Sequence, residues 1–397
     1  MGPSTALRAH AAVRRAAEAL READALLVCT GAGMGVDSGF STFRGRHAGV
    51  WPPLKALDID YASICSPGWF ASDPRLAWAF WHFCYQAYTK GKPHDGYGIV
   101  SKWSSGMDHG FFSVTSNIDG HWLRTEGVRR DRVYEVHGAV THMQGLRSDS
   151  EVWPADESAL ATLSVPKWDL RVGEDVQVQV DMEADGEWRR AWAPAVLGED
   201  GCCTAPRGEA LPSAPHAVRR PGGPDLCRAA KGARLPCSSG GEPARPNVMM
   251  FGDRGMSMRR VDRQRRAFEA WTSSLPEDAR LVIVEVGAGM TVSTIRELSE
   301  GTAEKFPRSV LVRINLDDCE VPAPLGSRAV AVGGLTALEA LSHLDGVVAH
   351  ASQSLRGRRS FSAPPSAARP RRGRAGVSGA AARSASLGPW GRRGTRR

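Results

Sequence analysis

Six short apolar runs constrain this chain more than any other feature, because each stops at glycine or at small polar residues. Residues 23–30 (ADALLVCT) run into Gly31-Ala32-Gly33-Met34-Gly35. Phe111 to Thr115 (FFSVT) leads to Ser116-Asn117-Ile118-Asp119-Gly120, and Arg132 to Val136 (RVYEV) to His137-Gly138. Asn247 to Phe251 (NVMMF) leads to Gly252-Asp253, Leu281 to Val286 (LVIVEV) to Gly287-Ala288-Gly289, and Ser309 to Ile314 (SVLVRI) to Asn315. Ala329 to Val332 is a weaker last candidate before a helical segment at Thr336 to Leu344. Unbroken apolar runs of this length are strands buried on both faces, and helices between them make the sheet parallel. The expected fold class is therefore α/β, a Rossmann-like parallel sheet with a smaller inserted domain. Ligands of such sheets collect at the carboxyl ends of the strands, so the residues that close the runs are the candidates for chemistry.

Two regions depart from this rhythm. Residues 46–105 carry Trp51, Trp69, Phe70, Trp78, Phe80, Trp81 and Phe83. Trp78, Trp81 and Tyr85 fall at helical spacing, which reads as packing of a helix on a core. Val172 to Val180 (VGEDVQVQV) alternates apolar and polar residues, Asp185-Gly186 is a turn signal, and Trp188 to Val196 reads as the returning strand. This is a β-hairpin insert at about 166–198. It resembles part of a Tudor-like barrel, a methyl-lysine reader. An aromatic cage needs several rings, and only Trp168, Trp188 and Trp192 are at hand, so a structural insert is the preferred reading. Residues 201–245, rich in Gly, Pro, Ser and Arg, read as a linker.

Charge is unevenly spread. Twelve of the 51 basic residues, all Arg, lie in residues 351–397, which hold no acid; residues 1–350 carry net −4 against +8 for the chain. The Arg-rich segment, 349–397, is expected to be a disordered tail suited to weak nucleic-acid contact or nuclear import. No apolar run approaches the ~20 residues of a membrane helix, so no membrane partner is expected. The opening MGPSTALRAHAAVRRAAEALRE lacks the apolar centre of a secretory signal. It contains acids and passes directly into a strand, so an amphipathic helix is preferred to a transit peptide. Pro3 and Ala6 argue against myristoylation at Gly2. Eight scattered cysteines suggest reduced thiols inside a cell. Nucleus or cytoplasm is expected, the tail favouring the nucleus, with the mitochondrion left open. The oligomeric state is not legible.

The strand-end motifs together resemble the sirtuin (silent information regulator) family. GAGMGVDSGFSTFRG (31–45) is similar to that family's G-A-G-x-S-x-x-S-G-I-P-D-F-R-G. TSNIDG (115–120) is similar to T-Q-N-I-D-x, EVHG (135–138) to the catalytic V-H-G, and ARPNVMMFGD (244–253) to R-P-x-V-V-x-F-G-E. VEVGAGMTV (284–292) stands where the family has a strand and G-T-S-L-x-V, and RIN (313–315) matches its I-N. The motifs keep family order across roughly residues 23–345, the insert apart.

The resemblance implies an NAD-dependent protein-lysine deacylase that releases nicotinamide and O-acyl-ADP-ribose, with an acylated-lysine protein as partner. It assigns His137 as catalytic base, with Asn117 and Asp119 beside it. Gly31, Ala32, Gly33 and Gly35 would hold the pyrophosphate region of NAD, Phe43 would shield the ribose, and Arg44 would order the loop. Ser116, Asn117, Ile118 and Asp119 would contact the ribose and the nicotinamide carboxamide. Gly287, Ala288, Gly289 and Asn315 would line the adenosine half. Val248, Phe251 and Gly252 would offer a strand edge to the substrate peptide. The implied organisation is an NAD-binding domain from 1–45, 106–138 and 246–348, a helical part of the small domain at 46–105, and a zinc-module region at 139–245. An imidazole of pKa near ~6.5 can serve as a base at neutral pH.

Departures from the family set further expectations. Of its four zinc-ligand positions, here Gly145, Ser148, Cys237 and Gly240, only Cys237 is a cysteine, and one thiolate cannot build a closed tetrahedral site. Cys202, Cys203 and Cys227 lie nearby without standard spacing, so zinc is not expected and the module is degenerate. Gly35 replaces Ser, Ser41-Thr42 replaces Pro-Asp, Ser116 replaces Gln, Ala288-Gly289 replaces Thr-Ser, and Asp253 replaces Glu. These changes keep two alternatives open: an NAD glycohydrolase or mono-ADP-ribosyltransferase of the same fold, and a non-catalytic NAD- or nucleic-acid-binding protein.

Overall fold

The computed structural model describes residues 3–40, 60–161, 163 and 234–361, together with the backbone of short strands between 171 and 219; side chains are described for 10–40, 60–160, 163 and 234–350. Its strands are β1 (Ala25–Thr30), β2 (Phe111–Thr115), β3 (Val133–Glu135), β4 (Gly138–Gly145), β5 (Val152–Pro154), β6 (Arg171–Val172), β7 (Val176–Ala184), β8 (Glu187–Pro194), β9 (Val196–Leu197), β10 (Cys203–Thr204), β11 (Val218–Arg219), β12 (Ala244–Val248), β13 (Leu281–Val286), β14 (Val310–Asn315) and β15 (Ala329–Gly333). The α-helices are α1 (Pro3–Glu22), α2 (Tyr61–Ile64), α3 (Trp69–Ser72), α4 (Pro74–Lys90), α5 (Asp95–Ser104), α6 (His121–Arg124), α7 (Glu157–Ala161), α8 (Arg259–Ser274), α9 (Thr294–Lys305) and α10 (Ala337–Phe361). None of the described helices is long and apolar enough to cross a membrane.

The main sheet has six strands in the order β15-β14-β13-β1-β2-β3, and every pairing in it is parallel. Strand order reverses at β1, which lies between β2 and β13. A crevice opens at such a switch point, and here the loops after β1 and β13 flank it. The strands alternate between two cores. Leu26 and Val28 face one side, with Val13 and Ala17 of α1, Val100 of α5 and Leu341 of α10. Leu27 and Cys29 face the other, with Trp271 of α8 and Ile295 of α9. Both faces are covered, so the strands read as continuous apolar runs.

Two charged residues inside this sheet pair with each other. Glu285 of β13 and Arg313 of β14 stand opposite each other in register. Arg313 Nε donates to Glu285 Oε1 at 2.7 Å and Nη2 donates to Oε2 at 2.9 Å, with both side chains buried.

A second, three-stranded antiparallel sheet runs β12-β4-β5. It packs with α4 around a third apolar cluster that contains Trp78, Phe80, Trp81, Cys84, Val140, Val248 and Met250. The reading of residues 247–251 as a strand of the parallel sheet is corrected here. β12 starts at Ala244, pairs with β4, and ends at Val248 after a register shift between Pro246 and Val248. Proline cannot donate to a ladder, and a bulge is where it is tolerated. Met249 to Gly252 is consequently a loop, not a strand edge. A buried ion pair shapes it: Arg245 donates to Asp253 Oδ1 at 3.1 Å and to the Val248 carbonyl at 2.9 Å, and Asp253 Oδ1 accepts from Gly255 N at 2.8 Å.

The insert contains the expected hairpin. β7 and β8 pair antiparallel in continuous register from Gln177–Pro194 to Ala184–Glu187. β6 and β11 also pair with β7. The chain divides into two compact units, Met1–Ser352 and Gln353–Arg397; of the second, only the backbone of residues 353–361 is described. The expectations for the Arg-rich tail, for Phe43 and Arg44, and for Trp168 fall outside the described residues.

Candidate active site

The strand ends converge on one cleft of about 1130 Å³. Gly31, Ala32, Gly33, Gly35, Ser116, Asn117, Ile118, Asp119, His137, Val248, Phe251, Gly252, Gly287, Ala288, Gly289 and Asn315 all line it. Every sequence-predicted site residue among the described residues is thus on its wall. His137 stands between the two sheets: β3, the edge strand of the main sheet, ends two residues before it, and β4 of the small sheet starts immediately after it.

One end of the cleft is built from main chain. The loops after β1 and β13 lie backbone against backbone, with Gly33 N donating to the Gly287 carbonyl at 3.0 Å and Gly31 N to the Val286 carbonyl at 3.0 Å. A Cβ on Gly33 would fall 2.6 Å from Gly287 Cα, and one on Gly287, where φ is +63°, 2.4 Å from Gly33 Cα. Only hydrogen fits at these positions, so the wall there presents peptide groups. Asn315 Nδ2 donates to the Ala288 carbonyl at 2.9 Å and fixes the second loop.

The ends of β1 and β2 are stitched together. Thr115 Oγ1 donates to the Thr30 carbonyl at 3.2 Å and accepts from Asn117 N at 3.0 Å. Asn117 Nδ2 donates to the Gly31 carbonyl at 3.0 Å, so its side chain bridges two of the lining loops. Asp119 is buried, and its Oδ1 accepts from His121 N at 2.8 Å. Burial pushes its pKa up to about 6; the His121 amide opposes this and the Glu135 carboxylate adds to it.

His137 is half-buried, and burial holds its pKa below the ordinary 6.5, against an opposing hydrogen bond to the Ser116 backbone. The imidazole is therefore neutral at pH 7. Its own carbonyl accepts from Met249 N at 2.9 Å, which ties it to the loop after β12. Gly138 follows at φ +79°, where a Cβ would meet the Asn247 carbonyl at 2.0 Å. Behind β3, Arg260 pairs with the buried Glu135, and Gln264 Oε1 accepts from Glu135 N at 3.1 Å.

The other end of the cleft is apolar, and the sequence singled out only Ile118, Val248 and Phe251 there, not Tyr61, Cys65 or Tyr88. Tyr61, Cys65 and Tyr88 line it with Ile118, Val248 and Phe251. Arg124 secures this wall by donating to the Tyr88, Thr89 and Gly91 carbonyls at the end of α4, at 2.7, 2.9 and 2.8 Å. A cation at a helix C-terminus satisfies carbonyls that have no partner within the helix. Nothing in the sequence spacing links Arg124 to α4; the contact is purely tertiary. The signal for the Glu285–Arg313 pair was present: each is the lone charge in an otherwise apolar strand.

Gly145 and Cys237, two of the positions matching the family's zinc ligands, flank the start of β12. Gly145 pairs with Ala244, and Cys237 bridges to Pro243. They supply one thiolate, which does not fit a tetrahedral zinc site. Among the described residues, no three His, Cys, Asp or Glu are grouped to hold a metal ion.

A doubly wound parallel sheet with glycine loops meeting at its switch point defines a nucleotide-binding type of α/β protein. The Sir2 family model matches residues 31–271, more than half of the chain. The chain belongs to the Sir2 family. It is 30% identical over 154 residues to an NAD-dependent protein deacylase of Deinococcus radiodurans, covering 38% of this chain and 60% of that one. With an NAD-dependent protein deacylase of Aeropyrum pernix it shares 28% over 199 residues, covering 48% and 76%. The chain spans between 36% and 60% of the length of the first three curated relatives it matches. Among solved structures, a Sir2 homolog–NAD complex superposes with a TM-score of 0.50 at 19% identity, covering 85% of this chain and 93% of that one. A mutant Sir2 homologue bound to ADP-ribose gives 0.51 at 18%, covering 86% and 96%. At these identities the likeness is one of fold.

Proposed function

We propose that the protein is an NAD-dependent protein-lysine deacylase. The observation that carries this reading is the position of His137: it lies at the junction of the two sheets and on the same cleft as Asn117, Asp119 and both glycine loops. The names of the Deinococcus and Aeropyrum relatives support the same activity.

The residues fit a dinucleotide. The peptide groups around Gly31, Gly33 and Gly287 can approach phosphates as no side-chain wall could. Asn315 and the loop after β13 suit the adenosine half, and Asn117 and Asp119 the nicotinamide riboside. When bound, NAD supplies an activated ribose carbon and nicotinamide as leaving group. Ser116, Asn117, Ile118 and Asp119 orient that end. His137, neutral at pH 7, accepts a proton from a ribose hydroxyl as the acyl-lysine oxygen reacts. Its hydrogen bond to the Ser116 backbone helps hold the ring at the cleft wall. Tyr61, Tyr88, Ile118 and Phe251 keep water from the acyl side.

The test is nicotinamide release from NAD by purified protein, with and without an acyl-lysine peptide. Release that requires the peptide is the expected result. Equal release without peptide would replace the deacylase by an NAD glycohydrolase, and no release would remove the enzyme reading.

A further inference from the structure

Gly31, Ala32, Gly33, Gly35 and Val36 line the cleft, while Met34 between them turns its side chain into the core beside Tyr97 and Val100 of α5. The Met34 carbonyl is held from behind the wall, by Nε2 of the buried His94 at 2.9 Å. A carbonyl can only accept, so Nε2 carries the proton. Nδ1 is then the unprotonated nitrogen, and it accepts from Gly96 N at 3.1 Å. Both bonds demand the same neutral tautomer. Burial holds the His94 pKa below the ordinary histidine value, in keeping with an Nδ1 that accepts.

The Nδ1 bond caps the N-terminus of α5. Capping alone does not account for a histidine. Asn and Asp are the usual caps, and their side chains end at the position of Nδ1, a bond short of Nε2 and of Met34. Room for the ring is specific to this sequence: a Cβ on Gly96 would lie 2.5 Å from His94 Cε1. His94 N also donates to Ser38 Oγ at 3.1 Å, so one residue grips the middle and the end of the 3₁₀ segment Ala32–Ser38. The same segment is held elsewhere by Gly33 N on the Gly287 carbonyl, and by Asp37 Oδ2, which accepts from Leu338 N of α10 at 2.8 Å.

We propose that His94 is a positioning residue for NAD: by holding the Met34 carbonyl it fixes the Met34–Gly35 peptide, and with it the stretch of wall that receives the phosphates. A peptide unit is rigid and planar, so a pinned carbonyl oxygen also places Gly35 N and Cα. His94 is not on the cleft wall and acts through Met34 and Gly35. The inference rests on the dinucleotide reading of the cleft and is independent of what the second substrate is.

Two single substitutions divide the imidazole. His94→Asn keeps an acceptor at the Nδ1 position and loses the reach to Met34. His94→Gln keeps a donor at the Nε2 position and loses the cap. The probe is ADP-ribose, which has the pyrophosphate of NAD and no leaving group to turn over. Its binding to the full chain is read by calorimetry, with thermal melts alongside. His94→Asn is expected to weaken ADP-ribose binding about tenfold, the cost of a buried acceptor losing its donor, and His94→Gln by less than about threefold. The melting temperature should fall at least as far in His94→Gln as in His94→Asn. Unchanged affinity in His94→Asn, or affinities that follow the melting temperatures across the two variants, reduces His94 to a helix cap and overturns the proposal. Absence of ADP-ribose binding by the unaltered chain overturns it as well. If the affinity order holds while no acyl-lysine peptide drives nicotinamide release, the positioning role stands and the deacylase reading falls.

Discussion

At the glycine end of the cleft, the wall is main chain held by main chain: Gly31, Gly33 and Gly287 touch with no side chain between them. At the opposite end, the wall is side chain held by side chain, with Tyr61, Tyr88 and Phe251 seated on an apolar core and secured by Arg124 and Arg245. The first kind of surface offers peptide dipoles at fixed spacing and suits a ligand whose phosphates are always the same. The second kind can be retuned by single substitutions and suits a ligand whose identity varies. His137 lies where the two meet, on a segment belonging to neither sheet.

Substitutions at the junction, in the wall supports and in the glycine loops should separate the two ends, with effects of decreasing size. His137→Ala should lower the rate of peptide-dependent nicotinamide release by about 10²–10⁴-fold, with NAD binding retained by calorimetry. A smaller loss would shift proton transfer to another group. Arg245→Ala should destabilise the fold by about 3–5 kcal/mol, because it leaves Asp253 buried and unpaired; denaturant unfolding measures this. Gly287→Ala adds a Cβ at φ +63° against Gly33. It should lower stability by about 1–3 kcal/mol and weaken NAD binding more than peptide binding. Equal weakening of both would mean that the two ends are not separately built.

The last effect concerns pH and is absent at neutrality. His121 is fully buried between Phe40 and Tyr97, and burial pushes its pKa down to about 3, with Arg124 and His94 adding to the shift. Burial also lowers His94. A histidine whose folded pKa lies below its unfolded value takes up its proton preferentially in the unfolded chain. Stability is therefore lost as pH falls below about 6.5, by about 1.4 kcal/mol per pH unit for each such group. Asp119, raised to about 6, opposes this over the lower part of the range. The clean reading is the difference between the protein and His121→Phe, which should change with pH below 6.5 in thermal melts and become independent of pH above 7.5.

The two ends also differ in how legible they were. The glycine end was readable because its chemistry is local. A buried strand followed by glycines is a contiguous signal, and β1, β2 and β13 begin or end within two residues of the apolar runs that announced them. The apolar end was readable only in part: Val248 and Phe251 stand in a motif, but Tyr61, Cys65 and Tyr88 come from two other segments and each looks like ordinary core material. The misreading of residues 247–251 has the same origin. NVMMF is as apolar as a sheet strand, and only pairing with β4 reveals that the strand starts at Ala244 and stops before the methionines. Arg245 and Asp253 stood in a recognisable motif, yet their mutual burial follows from the loop fold and not from their spacing.

The most direct test follows the acyl group itself. With an acyl-lysine peptide, NAD and the full chain, mass spectrometry should find the acyl group on ADP-ribose, in amounts equal to the nicotinamide set free. An acyl group released as the free acid with ADP-ribose unmodified, or ADP-ribose accumulating at the same rate when peptide is withheld, would contradict the claim that both ends of the cleft deliver their ligands to His137.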